Sequence, residues 1–152
     1  MKQETVNKST RTFWRWLSQE LTIRMEQNLP FIRVQPKAIC LIGVHSPKDV
    51  HLLYQRYPTA KFSVDTPISN GILKKVLAFF HISRPRLQVL SLQGIGLLPV
   101  PPFDFLWVSA WQVFFANQVQ PFLKQLQGLL REDGLLMMSY LGPDTAKEYR
   151  QI

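Results

Sequence analysis

The sequence predicts an α/β fold, with a mainly parallel sheet of about five strands held between layers of helices. Three observations carry this. Short, continuous apolar runs alternate along the chain with stretches whose apolar residues recur every three or four positions. The first of them, within Lys37 to Gly43, is a continuous apolar run, as in a strand buried on both faces. Proline and glycine punctuate nearly every junction between the two patterns.

Taken in order, Met1 to Arg11 is polar and expected to fray. Phe13, Trp16, Leu17, Leu21 and Met25 then form one stripe, with Arg15, Ser18, Gln19, Thr22 and Glu26 opposite. This is an amphipathic helix of about 16 residues that ends before Pro30. Lys37 to Gly43 reads as a doubly buried strand ending in glycine. Ser46-Pro47-Lys48-Asp49 supplies a capping serine, a first-turn proline and a first-turn acid for a helix carrying Val50, Leu53, Tyr54 and Tyr57, which Pro58 stops.

The pattern repeats with a second strand, Lys61 to Asp65, and a helical stripe of Ile72, Leu73, Val76, Leu77 and Phe80. Leu87 to Leu92 is a third strand, followed by a loop rich in Gly and Pro from Gly94 to Pro102, and Phe103 to Val108 is a fourth. Phe122, Leu123, Leu126, Leu129 and Leu130 mark a helix stopped by Glu132-Asp133-Gly134. Leu135 to Leu141 is a fifth strand, after which Gly142-Pro143-Asp144 opens a last short helix.

Composition narrows the class further. A chain of 152 residues fits one domain, and 46% hydrophobic residues against 18% charged excludes a chain disordered throughout. The single cysteine, Cys40, excludes a disulfide scaffold, and its apolar strand makes it a core residue. No apolar run reaches the ~18 residues of a membrane span, and no apolar leader is seen, so a cytoplasmic protein without membrane contact is expected. Lys and Arg number 18 against 10 Asp and Glu, a net charge of +8 that favours an anionic partner. The basic residues are dispersed, so a nucleic-acid module ranks last among the readings. His45, His51, His81 and Cys40 lack metal-ligand spacing, and no metal site is expected. Trp107 and Trp111 read as aromatic core ahead of a ligand-stacking role. In such sheets ligands sit beyond the carboxyl ends of the strands, where the strand order reverses. That rule points at Gly43 to Pro47, Asp65, Gly94 to Pro99 and the segment after Val108.

Four segments carry a family resemblance. They are Ile32–Gly43 (IRVQPKAICLIG), Leu53–Pro67 (LYQRYPTAKFSVDTP), Leu98–Phe114 (LPVPPFDFLWVSAWQVF) and Leu129–Arg150 (LLREDGLLMMSYLGPDTAKEYR). Together they resemble class I S-adenosylmethionine (SAM) methyltransferases, and within them the malonyl-acyl-carrier-protein O-methyltransferases of biotin synthesis. The resemblance covers roughly residues 30–152. It implies, over residues 30–152, a three-layer Rossmann-like sheet of order 3-2-1-4-5 that lacks its C-terminal part; the polar segment and amphipathic helix over residues 1–29 precede it. It implies SAM as cofactor, with Gly43 as the first glycine of the cofactor turn and Asp65 as the ribose carboxylate. Asp144 and Thr145 match the motif near the substrate, and no catalytic residue is assigned.

The turn departs from the family pattern. Leu41 stands where the family has an acid, His45 and Pro47 stand where it has glycines, and Gly94 falls near the position of the adenine acid. Proline removes a donor N–H, although the helix start at Ser46-Pro47 can still face an anion. The expectation is a methyltransferase-like protein with a degenerate cofactor turn. The alternative is an inactive pseudoenzyme acting through protein contacts. Expected partners are an acyl carrier protein, a complementing C-terminal chain, or a second copy pairing through the open fifth strand.

Overall fold

A computed structural model of the chain describes residues 2–43, 47–65, 87–90, 103–109 and 119–139. Five strands form one sheet: β1 (Ala38–Ile42), β2 (Lys61–Asp65), β3 (Leu87–Leu90), β4 (Phe103–Val108) and β5 (Leu130–Met138). Their order is β3-β2-β1-β4-β5 and every pairing is parallel, as the resemblance implied. Three helices accompany them: α1 (Lys2–Asn28), α2 (Pro47–Arg56) and α3 (Val119–Leu129). The expected helix over 72–80, the loop over 94–102 and the helix after Gly142 lie outside the described residues.

The centre of the sheet is apolar on both faces. One face presents Ile39, Leu41, Phe62, Val64, Phe105 and Trp107 to Val50 and Leu53 of α2 with Tyr57 just after it, and to Met25 near the end of α1 with Leu29 just after it. The other presents Cys40, Ile42, Leu106 and Val108 to Phe122, Leu126 and Leu129 of α3. This is the three-layer arrangement, and it follows from strands that carry no polar face to turn toward water. Tyr57 and Trp107 both meet the ring of Phe105 edge-on, with centroids 6.1 and 6.3 Å apart. Cys40 is a free, buried thiol in this core.

Two elements differ from their sequence reading. No proline or glycine interrupts residues 2–28, and the helix runs through the segment expected to fray. Its buried side is rotated from the expected stripe. Ser18, Thr22, Met25 and Leu29 are buried, whereas Trp16 is 55% exposed and Ile23 47% exposed. Short hydroxyl side chains tolerate such burial because they can return a hydrogen bond to their own helical backbone. The second difference is in β5, which begins at Leu130 directly after α3. Glu132-Asp133-Gly134 interrupts the strand and does not precede it, so that Phe103 pairs Leu130 while Phe105 pairs Leu135. Asp133 takes φ 66°, a left-handed conformation that a short polar side chain accepts. Leu123, placed on the apolar stripe of its helix, is 38% exposed.

The amino-terminal edge of the sheet is tied by one carboxylate. Asp104 Oδ2 accepts from the backbone N–H of Lys37 at 2.9 Å and of Ala38 at 3.0 Å, and Oδ1 accepts from Arg131 Nη1 at 2.8 Å. Lys37 O in turn accepts from Lys61 N at 2.8 Å, so four strands meet at this knot. Burial acts to raise the Asp104 pKa, but the two amides and the guanidinium outweigh it and hold the carboxyl below its usual range. A depressed folded-state pKa contributes stability above the unfolded value and loses it as pH falls through the folded one. Asp104→Ala is therefore expected to lower unfolding free energy by about 1–3 kcal/mol at neutral pH, since it strands two amides. The gap to the parent should narrow below about pH 4. Urea unfolding of both proteins at neutral and acid pH checks this, and a gap independent of pH would refute the role given to the charge.

Candidate functional site

The strand order reverses between β1 and β4, and the candidate site is the carboxyl end of the sheet at that point. The register aligns it. Ile42, the last residue of β1, pairs with Asp65 on β2 and with Val108 on β4. The ladder runs one residue further, with Ser109 N donating to Ile42 O at 2.8 Å and Ser139 N donating to Val108 O at 3.1 Å. Gly43, Asp65, Ser109 and Ser139 thus stand in a row across the ends of four strands.

Gly43 leaves β1 with φ 70°, in the left-handed region that a Cβ penalises. This is the property required where backbone must approach a ligand closely. α2 opens at Pro47 as the sequence predicted, so its first residue offers no N–H. Leu41 is wholly buried and pairs with Trp107 on β4. Trp107 is core, as expected, although its Nε1 is buried without a hydrogen-bond partner among the described residues. His45, Gly94, Trp111, Asp144 and Thr145 lie outside the described residues. Among the described residues no group of His, Cys, Asp or Glu could hold a metal ion, and no helix is long and apolar enough to cross a membrane.

The structure adds two residues that the sequence did not single out. Ser109 and Ser139 are 3% and 7% exposed, and both Oγ atoms are buried without a partner among the described residues. An unpaired buried hydroxyl costs roughly 1–3 kcal/mol unless something bonds it. The signal was the recurrence of a serine directly after an apolar strand, in Val108-Ser109 and Met138-Ser139. Ser139 also lines a cavity of about 390 Å³ between α1 and the outer edge of β5.

A parallel sheet of this order, with helices on both faces and its site at the switch point, is the Rossmann-like fold of methyltransferases. Solved structures bear this out. An O-methyltransferase family protein from Burkholderia thailandensis matches 86% of this chain and 40% of its own with a TM-score of 0.65, at 14% identity. Human N-acetylserotonin methyltransferase, solved in complex with SAM, matches 90% of this chain and 41% of its own with a TM-score of 0.59, at 16% identity. No family model matches the sequence.

The relatives by sequence are more particular. The chain is homologous over most of its length to proteins named malonyl-[acyl-carrier protein] O-methyltransferase. The one from Laribacter hongkongensis is 31% identical over 147 residues, which span 89% of this chain and 48% of that protein. The chain spans about half the length of the curated relatives it matches.

Gly43 is the position where this site can be tested without a ligand. Gly43→Ala is expected to cost about 1–2 kcal/mol of stability from its left-handed backbone alone. A urea midpoint unchanged from the parent would show that the turn does not need that conformation.

Proposed function

We propose that this chain forms the donor-binding part of a SAM-dependent O-methyltransferase acting on a carboxylate carried by an acyl carrier protein, in the cytoplasm. The observation that carries the reading is the alignment of Gly43, at φ 70°, with Asp65 at the ends of two neighbouring strands. Two positions support a cofactor here: Gly43, whose left-handed backbone suits a close approach by the amino-acid end, and Asp65, an acid at the end of the next strand that on this reading accepts from the ribose hydroxyls. The cofactor supplies an electrophilic methyl group when bound. The chain's own contribution is placement, because an in-line displacement gains mainly from held geometry. Ser109, one residue beyond β4 at the switch point, offers a buried hydroxyl to whichever ligand reaches it.

A second reading is supported by Pro47. With a proline as the first residue of α2, the helix start beside Gly43 has one donor fewer for an anionic group. On that reading the fold persists as a pseudoenzyme, and a complementing chain or a carrier protein binds it for assembly. The charge of +8 suits an acidic carrier in either case, mainly by speeding encounter.

Calorimetric titration with S-adenosylhomocysteine separates the readings. Micromolar binding, weakened at least tenfold by Asp65→Ala, is the expected result. A carboxylate hydrogen bond to a ligand is worth about 1.5–3 kcal/mol, so a smaller effect is incompatible with the role given to Asp65. Absence of binding by the folded chain would favour the pseudoenzyme.

A further inference from the structure

At the amino-terminal end of the sheet, opposite Gly43 and Asp65, the chain approaches β1 through an extended segment that includes Arg33, Val34 and Gln35. Pro36 favours this geometry, because the residue before a proline is held away from helical conformation. Exposure alternates along the segment. Ile32 and Val34 are half-buried and Pro36 is buried, while Arg33, Gln35 and Lys37 are exposed. That is the period of a strand. Yet the backbone N–H and C=O groups of Arg33, Val34 and Gln35 make no backbone hydrogen bond among the described residues. The ladder to β2 starts only at Lys37, whose carbonyl accepts from Lys61 N. The segment forms one wall of an open groove, and Arg56 and Tyr57 at the end of α2 form the other. Both charged residues lining the groove, Arg33 and Arg56, are positive. Arg56 is already positioned: its Nη2 donates to Leu29 O at 2.8 Å, and its guanidinium lies 5.9 Å from the centre of the Tyr57 ring. It keeps further N–H donors for a partner, and the ordering cost of using them is reduced. Arg33 makes no ion pair among the described residues.

An unpaired strand-like backbone is a template for another strand, and the charges beside it decide which strand is accepted. A second copy of this segment would set its own Arg33 against the two arginines of the groove, and like charges so placed repel. A nucleic-acid phosphate accepts hydrogen bonds and donates none, so it would leave the carbonyls of the segment unanswered. A peptide backbone answers both kinds of group. We propose that this groove binds an acidic segment of a partner protein, extended along Arg33, Val34 and Gln35 by strand addition, with carboxylates at alternate positions meeting Arg33 and Arg56. Phe31, 85% exposed at the head of the segment, offers an apolar contact at one end. The net charge of +8 speeds the encounter with such a partner. The groove lies at the opposite end of the sheet from the donor site, so the inference does not depend on the methyltransferase reading.

Backbone amide signals test this directly. The whole chain, labelled with 15N, is titrated with acetyl-Ser-Glu-Val-Glu-Val-Glu-Ser-amide. The amides of Arg33, Val34 and Gln35 should shift to saturation and exchange more slowly with solvent, while those of Gly43 and Ser109 stay in place. The same peptide with lysine for glutamate should not bind. Arg33→Glu should weaken binding roughly tenfold or more, since it removes a hydrogen bond between charged groups. A peptide N-methylated at two consecutive central residues keeps every carboxylate but cannot form the ladder, and it should lose binding. Unmoved signals at these three residues, an equal response to the lysine peptide, or undiminished binding by the N-methylated peptide overturns the proposal. So does an Arg33→Glu variant that binds as tightly as the parent. Oligouridylate shifting the same amides at a lower concentration than the acidic peptide also overturns it, in favour of a nucleic-acid surface.

Discussion

Everything in this fold follows from the burial of β1 and β4 on both faces. Ile39 to Ile42 and Phe105 to Val108 are each at most 1% exposed. A strand with no face for water needs a layer on either side, and parallel neighbours need crossovers that supply those layers. Helices α1 and α2 cover one face and α3 the other, because the apolar side chains of β1 and β4 leave no alternative. The same constraint locates the site. β1 connects on toward β2 and β4 toward β5, so the chain departs in opposite directions from the ends of the two central strands. The gap between those departures is where a ligand can reach the backbone.

The two ends of the sheet carry different work. At the amino-terminal edge, Asp104 gathers Lys37, Ala38 and Arg131, all its bonds are made within the protein, and its charge is consumed in holding four strands in register. At the carboxyl-terminal edge the polar atoms are incomplete. Gly43 holds a backbone conformation that favours glycine, and Ser109 and Ser139 keep buried hydroxyls without partners among the described residues. A fold at equilibrium keeps such costs where something else relieves them. The contrast between a satisfied acid at one end and unsatisfied hydroxyls at the other is the physical argument for which end binds ligands.

The sequence made the sheet legible and the first helix less so. The limits of β2 and β4 coincide with the segments Lys61–Asp65 and Phe103–Val108 read from the sequence, whose buried apolar residues Phe62, Val64, Phe105, Leu106, Trp107 and Val108 carry the strand signal. In α1 the stripe through Phe13, Trp16 and Leu21 suggested a full contact face. Of its apolar residues the helix sends Met25 into the core, with Leu29 just beyond its end, while Leu17 and Leu21 are half-buried and Trp16 faces outward against Phe13. The site was half legible. Glycine at a strand end and an acid at the end of the next strand have chemistry readable from residue type. A serine does not, because its role depends on whether tertiary structure leaves its hydroxyl paired, which no local pattern encodes. Ser109 and Ser139 were therefore passed over.

The departures at Leu41 and Pro47 can be weighed in the same terms. An acid at position 41 would sit among Ile39, Phe105 and Trp107, and burying it would require a compensating set of donors. Leucine there removes that demand and strengthens the core. Proline at 47 fixes the first turn of α2 at the expense of one amide donor. Both residues favour stability at the turn, and neither disturbs the backbone of Gly43 or the register that sets Asp65 beside it. Gly43 and Asp65 are thus the two positions of the turn on which the proposed cofactor reading rests.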